Sequence, residues 1–209
     1  MPIKDNREYR NLGTFQAGDD TDTVTGYAST FDEYELFEFE GVKYYERIDP
    51  HAFDGADLSD VVFLRDHTGR VLARTKNGSV ELSIDDHGLH QRANLGLTAA
   101  SREMLEDIRT GLYSQMSFSF VIAEGGDHME GRTRVIDRVA KVYDVSAVAF
   151  PANPYTDIGV SMRDRFNGVI EAEKAERLER ERRARLIKRN QLRIKLATTG
   201  QTGGTTDEH

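Results

Sequence analysis

The sequence predicts an α+β protein that is mainly β, with its strands arranged as a barrel or a sandwich. Three observations support this fold class. Short segments rich in β-branched and aromatic residues alternate with tight turns across residues 24–95. Within the body, helical spacing of apolar residues is clear only across residues 98–110. A long charged stretch, residues 169–196, then predicts a helical C-terminal tail.

The strands are predicted from period-two alternation and from β-branched and aromatic composition. Residues 32–40 are acidic and aromatic, and we interpret them as a loop or an edge hairpin that closes at Gly41. Residues 71–74 and 78–84 are expected to pair with each other across the turn Lys76-Asn77-Gly78. The predicted strands are residues 9–15, 24–31, 42–48, 61–64, 71–74, 78–84, 89–95, 113–122, 132–136 and 139–150.

The helix of the body is predicted with both of its ends. Thr98 or Ser101 can cap its N-terminus, and Gly111 suits the position just after its C-terminus. The apolar side chains at helical spacing are Met104, Leu105, Ile108 and Leu112.

Charge is distributed unevenly along the 209 residues, whose net charge is -8. Residues 169–196 carry ten Lys and Arg against five Glu, so the preceding 168 residues are strongly acidic. An acidic body argues against binding of nucleic acid by the body. The basic tail could still bind an acidic partner. The chain has no cysteine and no apolar run long enough for a membrane span, so we expect a soluble protein of the cytosol without disulfides.

Three parts of the chain are expected. Residues 1–167 should form the folded domain, and residues 168–197 a charged helical tail. The apolar stripe of this tail is thin and lacks a regular heptad, so the helix should be marginal alone and firm on a partner. Residues 198–209 are rich in Gly and Thr and are expected to be disordered.

A serine on the strand within residues 113–122 is our candidate nucleophile. Alternation places Met116, Phe118, Phe120 and Ile122 on a core-facing side. The opposite face carries small hydroxyls, those of Ser117 and Ser119. Ser117 is the candidate, and the alternative is that it is an ordinary strand serine. Nucleophilic catalysis by serine would require a base within hydrogen-bonding distance.

His67 and Asp144 are the candidate base and acid. His67 follows directly from an apolar strand, so its backbone is anchored, although its position alone favours an ordinary turn histidine in Asp66-His67-Thr68-Gly69. Asp144 lies in a strand that is apolar on both faces and hence central, where a buried carboxylate needs a partner. That partner could be a histidine, backbone amides, or an arginine such as Arg138.

Other chemistry finds little support in the sequence. His87 and His90 lack a carboxylate cluster at the spacing of zinc peptidases, and no Gly-x-Ser-x-Gly elbow is present. No phosphate-binding loop or dinucleotide fingerprint occurs either. We therefore expect no metal and no cofactor.

Three segments, in order, give the chain a family resemblance across residues 24–155. The first is the apolar strand that ends at His67, followed by Gly69-Arg70-Val71-Leu72 and the turn at Asn77-Gly78. The second is the helix that leads into Gly111-Leu-Tyr-Ser-Gln-Met-Ser-Phe-Ser-Phe120. The third is Asp144-Val-Ser-Ala-Val-Ala-Phe-Pro-Ala-Asn-Pro154. With these segments the chain resembles the prohead proteases of tailed phages.

This resemblance implies a serine endopeptidase whose domain, residues 1–167, is a β-barrel flanked by helices, as in herpesvirus assemblin. It implies His67 as the base, Ser117 as the nucleophile and Asp144 as the third member. The family varies at this third position. It usually has glycine where this chain has Ser119, so a second hydroxyl lies beside the predicted nucleophile. The loop around Ala152 and Asn153 is our candidate for the oxyanion donors.

The resemblance also implies a partner and a place of action. The enzyme would cleave the scaffolding segment of the major capsid protein, and itself, inside the immature capsid in the host cytoplasm. We expect no nucleic-acid partner and no membrane, and the sequence leaves a homo-oligomer open. Two alternatives are a non-enzymatic capsid assembly or scaffolding factor with the same fold, and a different soluble hydrolase, for which no motif is present.

Overall fold

A computed structural model describes residues 6–17, 21–149 and 160–199 of the chain. It confirms the mainly β prediction. The strands are β1 Glu8–Ala17, β2 Thr23–Thr30, β3 Tyr34–Phe39, β4 Val42–Ile48, β5 Val62–Arg65, β6 Thr68–Arg74, β7 Val80–Ile84, β8 Gly88–Asn94, β9 Gln115–Ile122, β10 Asp127–Glu130, β11 Thr133–Ile136 and β12 Val139–Val148. The helices are α1 Ala99–Arg109 and α2 Val160–Thr199, with a 3₁₀ turn at Thr75–Asn77.

The strands form two sheets. The larger has eight strands in the order β6-β5-β12-β9-β1-β2-β8-β7 and is a nearly closed barrel. Its two end strands, β6 and β7, are linked through the 3₁₀ turn, where the Arg74 amide donates to Ser79 Oγ and the Ser79 amide donates to the Arg74 carbonyl. The smaller sheet has the order β10-β11-β4-β3.

Two tight turns determine which strands become neighbours. Glu40 and Gly41 both have positive φ between β3 and β4, which confirms the edge hairpin predicted there. Asp66 and His67, with φ of 49° and 58°, likewise join β5 to β6. Two consecutive residues with positive φ suit the twist of antiparallel hairpins, and Asp tolerates this conformation.

The predicted pairing of residues 71–74 with residues 78–84 is therefore wrong. β6 pairs with β5 across the turn at His67, and β7 pairs with β8. The hairpin at Asp66 and His67 has a two-residue connection, and β6 is thereby paired before the chain reaches Lys76. The segment around Lys76 instead crosses between the two ends of the eight-stranded sheet.

Helix α1 is the helix predicted for the body. The Ser101 amide donates to Thr98 Oγ1, so Thr98 is the cap, while Ser101 Oγ donates to the Leu72 carbonyl on β6. Gly111 follows the helix with a φ of 79°, as a left-handed terminating residue does. Leu112 was predicted to extend the apolar stripe of the helix. That prediction is wrong, because the helix ends at Arg109 and Leu112 is 66% exposed.

A buried network of charged side chains joins the two sheets. Arg134 on β11 is fully buried, and it contacts Glu8 on β1, Glu46 on β4 and Asp127 on β10 at 2.7, 3.0 and 2.7 Å. Arg10 on β1 also donates to Glu46. Because an unpaired buried charge is costly, these contacts hold β1 of the large sheet against the small sheet.

The C-terminal helix α2 belongs to a separate compact unit, Gly159–His209, distinct from Met1–Ile158. It starts at Val160, eight residues before the tail expected from residue 168, because no proline follows Pro154 and a single glycine, Gly168, interrupts a run of helix-compatible residues. Of the segment 198–209, predicted to be disordered, Thr198 and Thr199 are helical and the remainder lies outside the described residues. No described helix is long and apolar enough to cross a membrane.

Candidate active site

His67 is held by the tight turn at the end of β5. Strand β5 runs parallel to β12, so this turn lies beside the last residues of β12. The neighbouring Asp66 fastens the turn there. Its amide donates to the Ala147 carbonyl at 2.9 Å, and its carboxylate accepts from the Ala149 amide at 3.2 Å and from the Tyr113 hydroxyl at 3.1 Å. The position of His67 is thus fixed by backbone and side-chain contacts of its neighbour.

The other two predicted residues lie on adjacent central strands. β9 and β12 pair antiparallel, with Ser117 opposite Ser146 and Ser119 opposite Asp144. Residues two apart on a strand share a face, so these four polar side chains lie on one side of the sheet. Met116, Phe118 and Phe120 are buried on the opposite side of β9, as alternation predicts.

The structure brings the three predicted residues into one hydrogen-bonded chain. Ser117 Oγ lies 2.7 Å from His67 Nε2, and His67 Nδ1 lies 2.6 Å from Asp144 Oδ1. Ser117 and Asp144 are each 2% exposed, whereas the side chain of His67 is 17% exposed. A neutral His67 that donates from Nδ1 to Asp144 can accept the proton of Ser117 at Nε2.

Asp144 has three hydrogen-bond partners among the described side chains. His67 and Ser146 donate to Oδ1, the latter at 2.7 Å, and Ser119 donates to Oδ2. Burial alone would raise the pKa of Asp144. The hydrogen bond and the charge of His67, together with the hydrogen bonds from Ser119 and Ser146, outweigh burial and lower the pKa below its ordinary value. The carboxylate is thereby kept ionised.

Two alternatives from the sequence were Arg138 as the partner of Asp144 and Ser119 as the nucleophile. Arg138 donates to the carbonyls of Glu124 and Gly125, at 3.1 and 3.2 Å, instead of to Asp144. Ser119 is fully buried, and its hydroxyl contacts Asp144. The hydroxyl beside His67 Nε2 is that of Ser117. The geometry therefore favours Ser117 over Ser119 as a nucleophile.

Several residues around the site were not predicted from the sequence. The ring of Tyr9 on β1 meets the His67 ring edge to face, with centroids 4.7 Å apart. Nothing in the sequence distinguishes Tyr9 from other strand aromatics. Ser146 lies two residues after Asp144, and this spacing, which places both side chains on one face of a strand, was the available signal for its contact. Asp66 and Tyr113 meet only through the fold, so no local pattern marks them.

Two further expectations concern the oxyanion donors and a metal ion. Ala152 and Asn153, the candidates for the oxyanion loop, lie outside the described residues. Within the described parts of the chain, no group of three or more His, Asp and Glu side chains is arranged to hold a metal ion. Hydroxyl, imidazole and carboxylate in line can activate an alcohol for attack on a carbonyl carbon.

Comparison with known proteins gives one match. The sequence model of a family described as caudovirus prohead serine protease matches residues 10–168, which is more than half of the chain. No curated protein and no solved structure matches the chain. The matched residues include Ser117, His67 and Asp144.

Proposed function

Because the chain belongs to the caudovirus prohead serine protease family, we propose that it is itself an active serine endopeptidase. The observation that carries this proposal is the hydrogen-bonded chain from Ser117 through His67 to Asp144. In the proposal Ser117 is the nucleophile, His67 the general base and Asp144 the residue that orients the base. Ser117 lies on β9, His67 in the β5–β6 turn and Asp144 on β12, so their contact does not arise from closeness in sequence.

The proposed reaction begins with transfer of the Ser117 proton to Nε2 of His67 as Oγ attacks the carbonyl carbon of a peptide bond. The tetrahedral intermediate collapses, the C–N bond breaks, and the imidazolium gives its proton to the leaving amine. Water then attacks the resulting ester, with His67 accepting the water proton. Return of that proton to Ser117 Oγ releases the new carboxyl terminus and restores the enzyme.

Asp144 contributes through the charge and geometry of its carboxylate. Its hydrogen bond from Nδ1–H keeps the lone pair of Nε2 directed at Ser117, and its negative charge stabilises the imidazolium that forms. The lowered pKa of Asp144 supports this role, because a carboxylate that remains ionised can do both throughout the neutral range.

The proposed substrate is the scaffolding segment of the capsid protein, together with the chain itself, inside the procapsid. Prohead proteases act on capsid proteins, and α2 provides a feature suited to finding such a partner. Residues 171–181 carry five Glu and three Lys or Arg, whereas residues 182–195 carry seven Lys or Arg and no acidic residue. Leu186, Ile187 and Leu192 are exposed within this basic half. We propose that it docks on an acidic helical segment of the partner.

A non-enzymatic assembly factor is the second candidate, and exposure of the charged helix is the observation that favours it. Reaction of the full-length protein with a serine-directed fluorophosphonate, mapped by mass spectrometry, separates the two. We expect the label on Ser117 and its loss on prior denaturation, since only the folded arrangement activates the hydroxyl. A native protein that stays unlabelled, while an established serine protease reacts in parallel, would favour the assembly factor.

A further inference from the structure

We propose that Ser119 is a positioning residue, which fixes the rotation of the Asp144 carboxylate so that Oδ1 faces Nδ1 of His67. This inference rests on the proposed function, because it assigns Ser119 a part in the same reaction. The side chain would touch neither substrate nor the reacting atoms. It would act through Asp144 alone.

The hydrogen bonds of Asp144 are divided unequally between its two oxygens. Oδ1 receives His67 and Ser146, at 2.6 and 2.7 Å, whereas Oδ2 receives Ser119. Among the described side chains, Ser119 is the one donor to Oδ2. Loss of its hydroxyl would therefore leave Oδ2 without that bond in a place where water has little access, since Asp144 is 2% exposed.

The backbone leaves the carboxylate one main freedom. β12 is paired on both sides, with β5 and with β9, so the main chain at Asp144 is held by ladder hydrogen bonds. The terminal torsion of an aspartate side chain is broad and nearly two-fold, unlike the staggered torsions of saturated carbons. A donor on each oxygen restricts this torsion from two sides. Ser119 is suited to the task because it lies directly opposite Asp144 in the antiparallel register.

Ser146 donates to Oδ1, the oxygen that His67 also contacts, so its bond does not hold Oδ2 in place. Ser119 contacts the other oxygen from the neighbouring strand. The lowering of the pKa of Asp144 by Ser119 is consistent with a bond made to the ionised form.

The test compares Ser119→Ala with Ser29→Ala in the full-length protein. Ser29 is also fully buried, but it lies on β2, which pairs with neither β9 nor β12, and its hydroxyl donates to the Thr30 carbonyl. We expect Ser119→Ala to lower kcat about 10- to 100-fold with KM unchanged, the size expected for slight misplacement of a reacting group. Ser29→Ala should leave kcat unchanged, and Ser119→Thr, which keeps a hydroxyl, should recover most of the loss.

A spectroscopic readout distinguishes positioning from general loss of structure. The proton on His67 Nδ1 should give a downfield NMR resonance in protein with labelled histidine, since it lies in a short hydrogen bond to a carboxylate. We expect that resonance to move upfield or to broaden in Ser119→Ala, and to be unchanged in Ser29→Ala. If Ser119→Ala does not fold, Ser119→Cys carries the test, because a thiol is close in size and a much weaker donor.

An unchanged kcat and an unchanged Nδ1 resonance in Ser119→Ala would overturn the proposal. So would equal losses in Ser119→Ala and Ser29→Ala, which would indicate a purely structural effect. Failure of the proposed function is a different result, namely a wild-type protein that neither cleaves peptides nor reacts with the fluorophosphonate. The resonance still decides in that case whether Ser119 holds the Asp144–His67 pair.

Discussion

The hydroxyl of Ser117 lies 2.7 Å from Nε2 of His67, although fifty residues separate the two in the chain. Strand β9 provides one side chain and the β5–β6 turn the other, and β12 lies between their strands in the sheet. The contact therefore depends on correct pairing of three strands. Its consequences for activity can be tested residue by residue.

Replacement of Ser117 by alanine should abolish peptide cleavage with little change in stability, because it removes a single hydroxyl from a strand face. Loss of the nucleophile in such a unit costs on the order of 10⁴ to 10⁶ in rate. Steady-state cleavage of a short peptide measures the rate, and thermal unfolding checks the fold. Ser119→Ala is the matched variant two residues away and should cost far less. The assignment is wrong if Ser119→Ala is the inactive variant and Ser117→Ala cleaves normally.

Replacement of His67 by asparagine should lower the rate as far as Ser117→Ala, and the double variant should be no worse, because the two residues act as a unit. Asparagine suits the positive φ of this position. Steady-state cleavage of a short peptide measures these rates, and thermal unfolding checks the fold of each variant. A His67→Asn variant that cleaves at the wild-type rate would contradict His67 as the base.

Replacement of Asp144 by asparagine should lower kcat by about 10⁴ while KM changes little. The amide can donate to Nδ1 and so stabilise the wrong tautomer of His67, with the proton on Nε2. Ser119 and Ser146 would still contact the new side chain, so the fold should persist. Comparison of kcat with the near-ultraviolet circular dichroism spectrum separates the two effects. Retention of full activity would remove Asp144 from the proposed mechanism.

The buried network between the sheets should make the free energy of unfolding depend on pH in the acid range. Burial raises the pKa of Glu8, but hydrogen bonds and charges from Arg134 and Arg10 outweigh it and lower the pKa from 4.5 to about 2. A lowered folded-state pKa adds stability above the unfolded value of 4.5, which is lost as pH falls toward 2. The shift corresponds to about 3 kcal/mol.

Denaturant unfolding between pH 6 and pH 2 tests this prediction. Glu8→Gln should be less stable than wild type at pH 6, and its stability should fall less steeply as the pH decreases. Glu81→Gln is the control, because Glu81 is an exposed residue of β7 with a weak contact to Arg92 at 3.4 Å. Parallel curves for wild type and Glu8→Gln would show that Glu8 is not responsible.

The basic half of α2 should direct the protein into assembling shells without affecting chemistry. Replacement of the seven Lys and Arg residues within 182–195 by glutamine keeps good helix formers and removes the charge. We expect this variant to cleave a short peptide normally and to be poorly incorporated when co-expressed with the capsid protein. Counting the protein in purified particles provides the measurement.

Two further chains sharpen the experiment on the helix. A chain that ends at Thr199 keeps the basic half and should be incorporated like the full length, whereas a chain that ends at Glu181 should not. Equal incorporation of all variants would remove docking as the role of α2. Loss of peptide cleavage in the glutamine variant would instead indicate that the helix takes part in the reaction.

Local patterns were sufficient for most strands, but the three candidate residues of the site needed the family resemblance as well. Alternation within residues 115–122 identified both faces of β9, because large apolar side chains and small hydroxyls alternate along the strand. Asp144 was expected to be buried for a different reason, because its strand is apolar on both faces. Ser117, His67 and Asp144 were selected from the residues and from the family resemblance, and the structure brings them together. Their catalytic roles stay a proposal.

Pairing between strands was the part that the sequence did not determine. β6 was expected to join β7 because a plausible turn lies between them, but the turn at Asp66 and His67 formed the competing hairpin. The partners Tyr9, Asp66 and Tyr113 were missed because their contacts connect distant segments. The early start of α2 was missed because the tail was predicted from its charged run, which begins only after Gly168.

The left-handed backbone at His67 restricts which residues can replace it if a descendant of this chain loses the proposed activity. Asp66 and His67 have φ of 49° and 58°, a region that β-branched side chains tolerate poorly and that asparagine and glycine enter readily. The conformation of the hairpin therefore limits which substitutions residue 67 can accept, in addition to any selection for the proposed proteolysis. A lineage that retained the barrel for shell assembly alone would be expected to carry asparagine or glycine at residue 67, and valine or isoleucine there would indicate that the hairpin itself had been rebuilt.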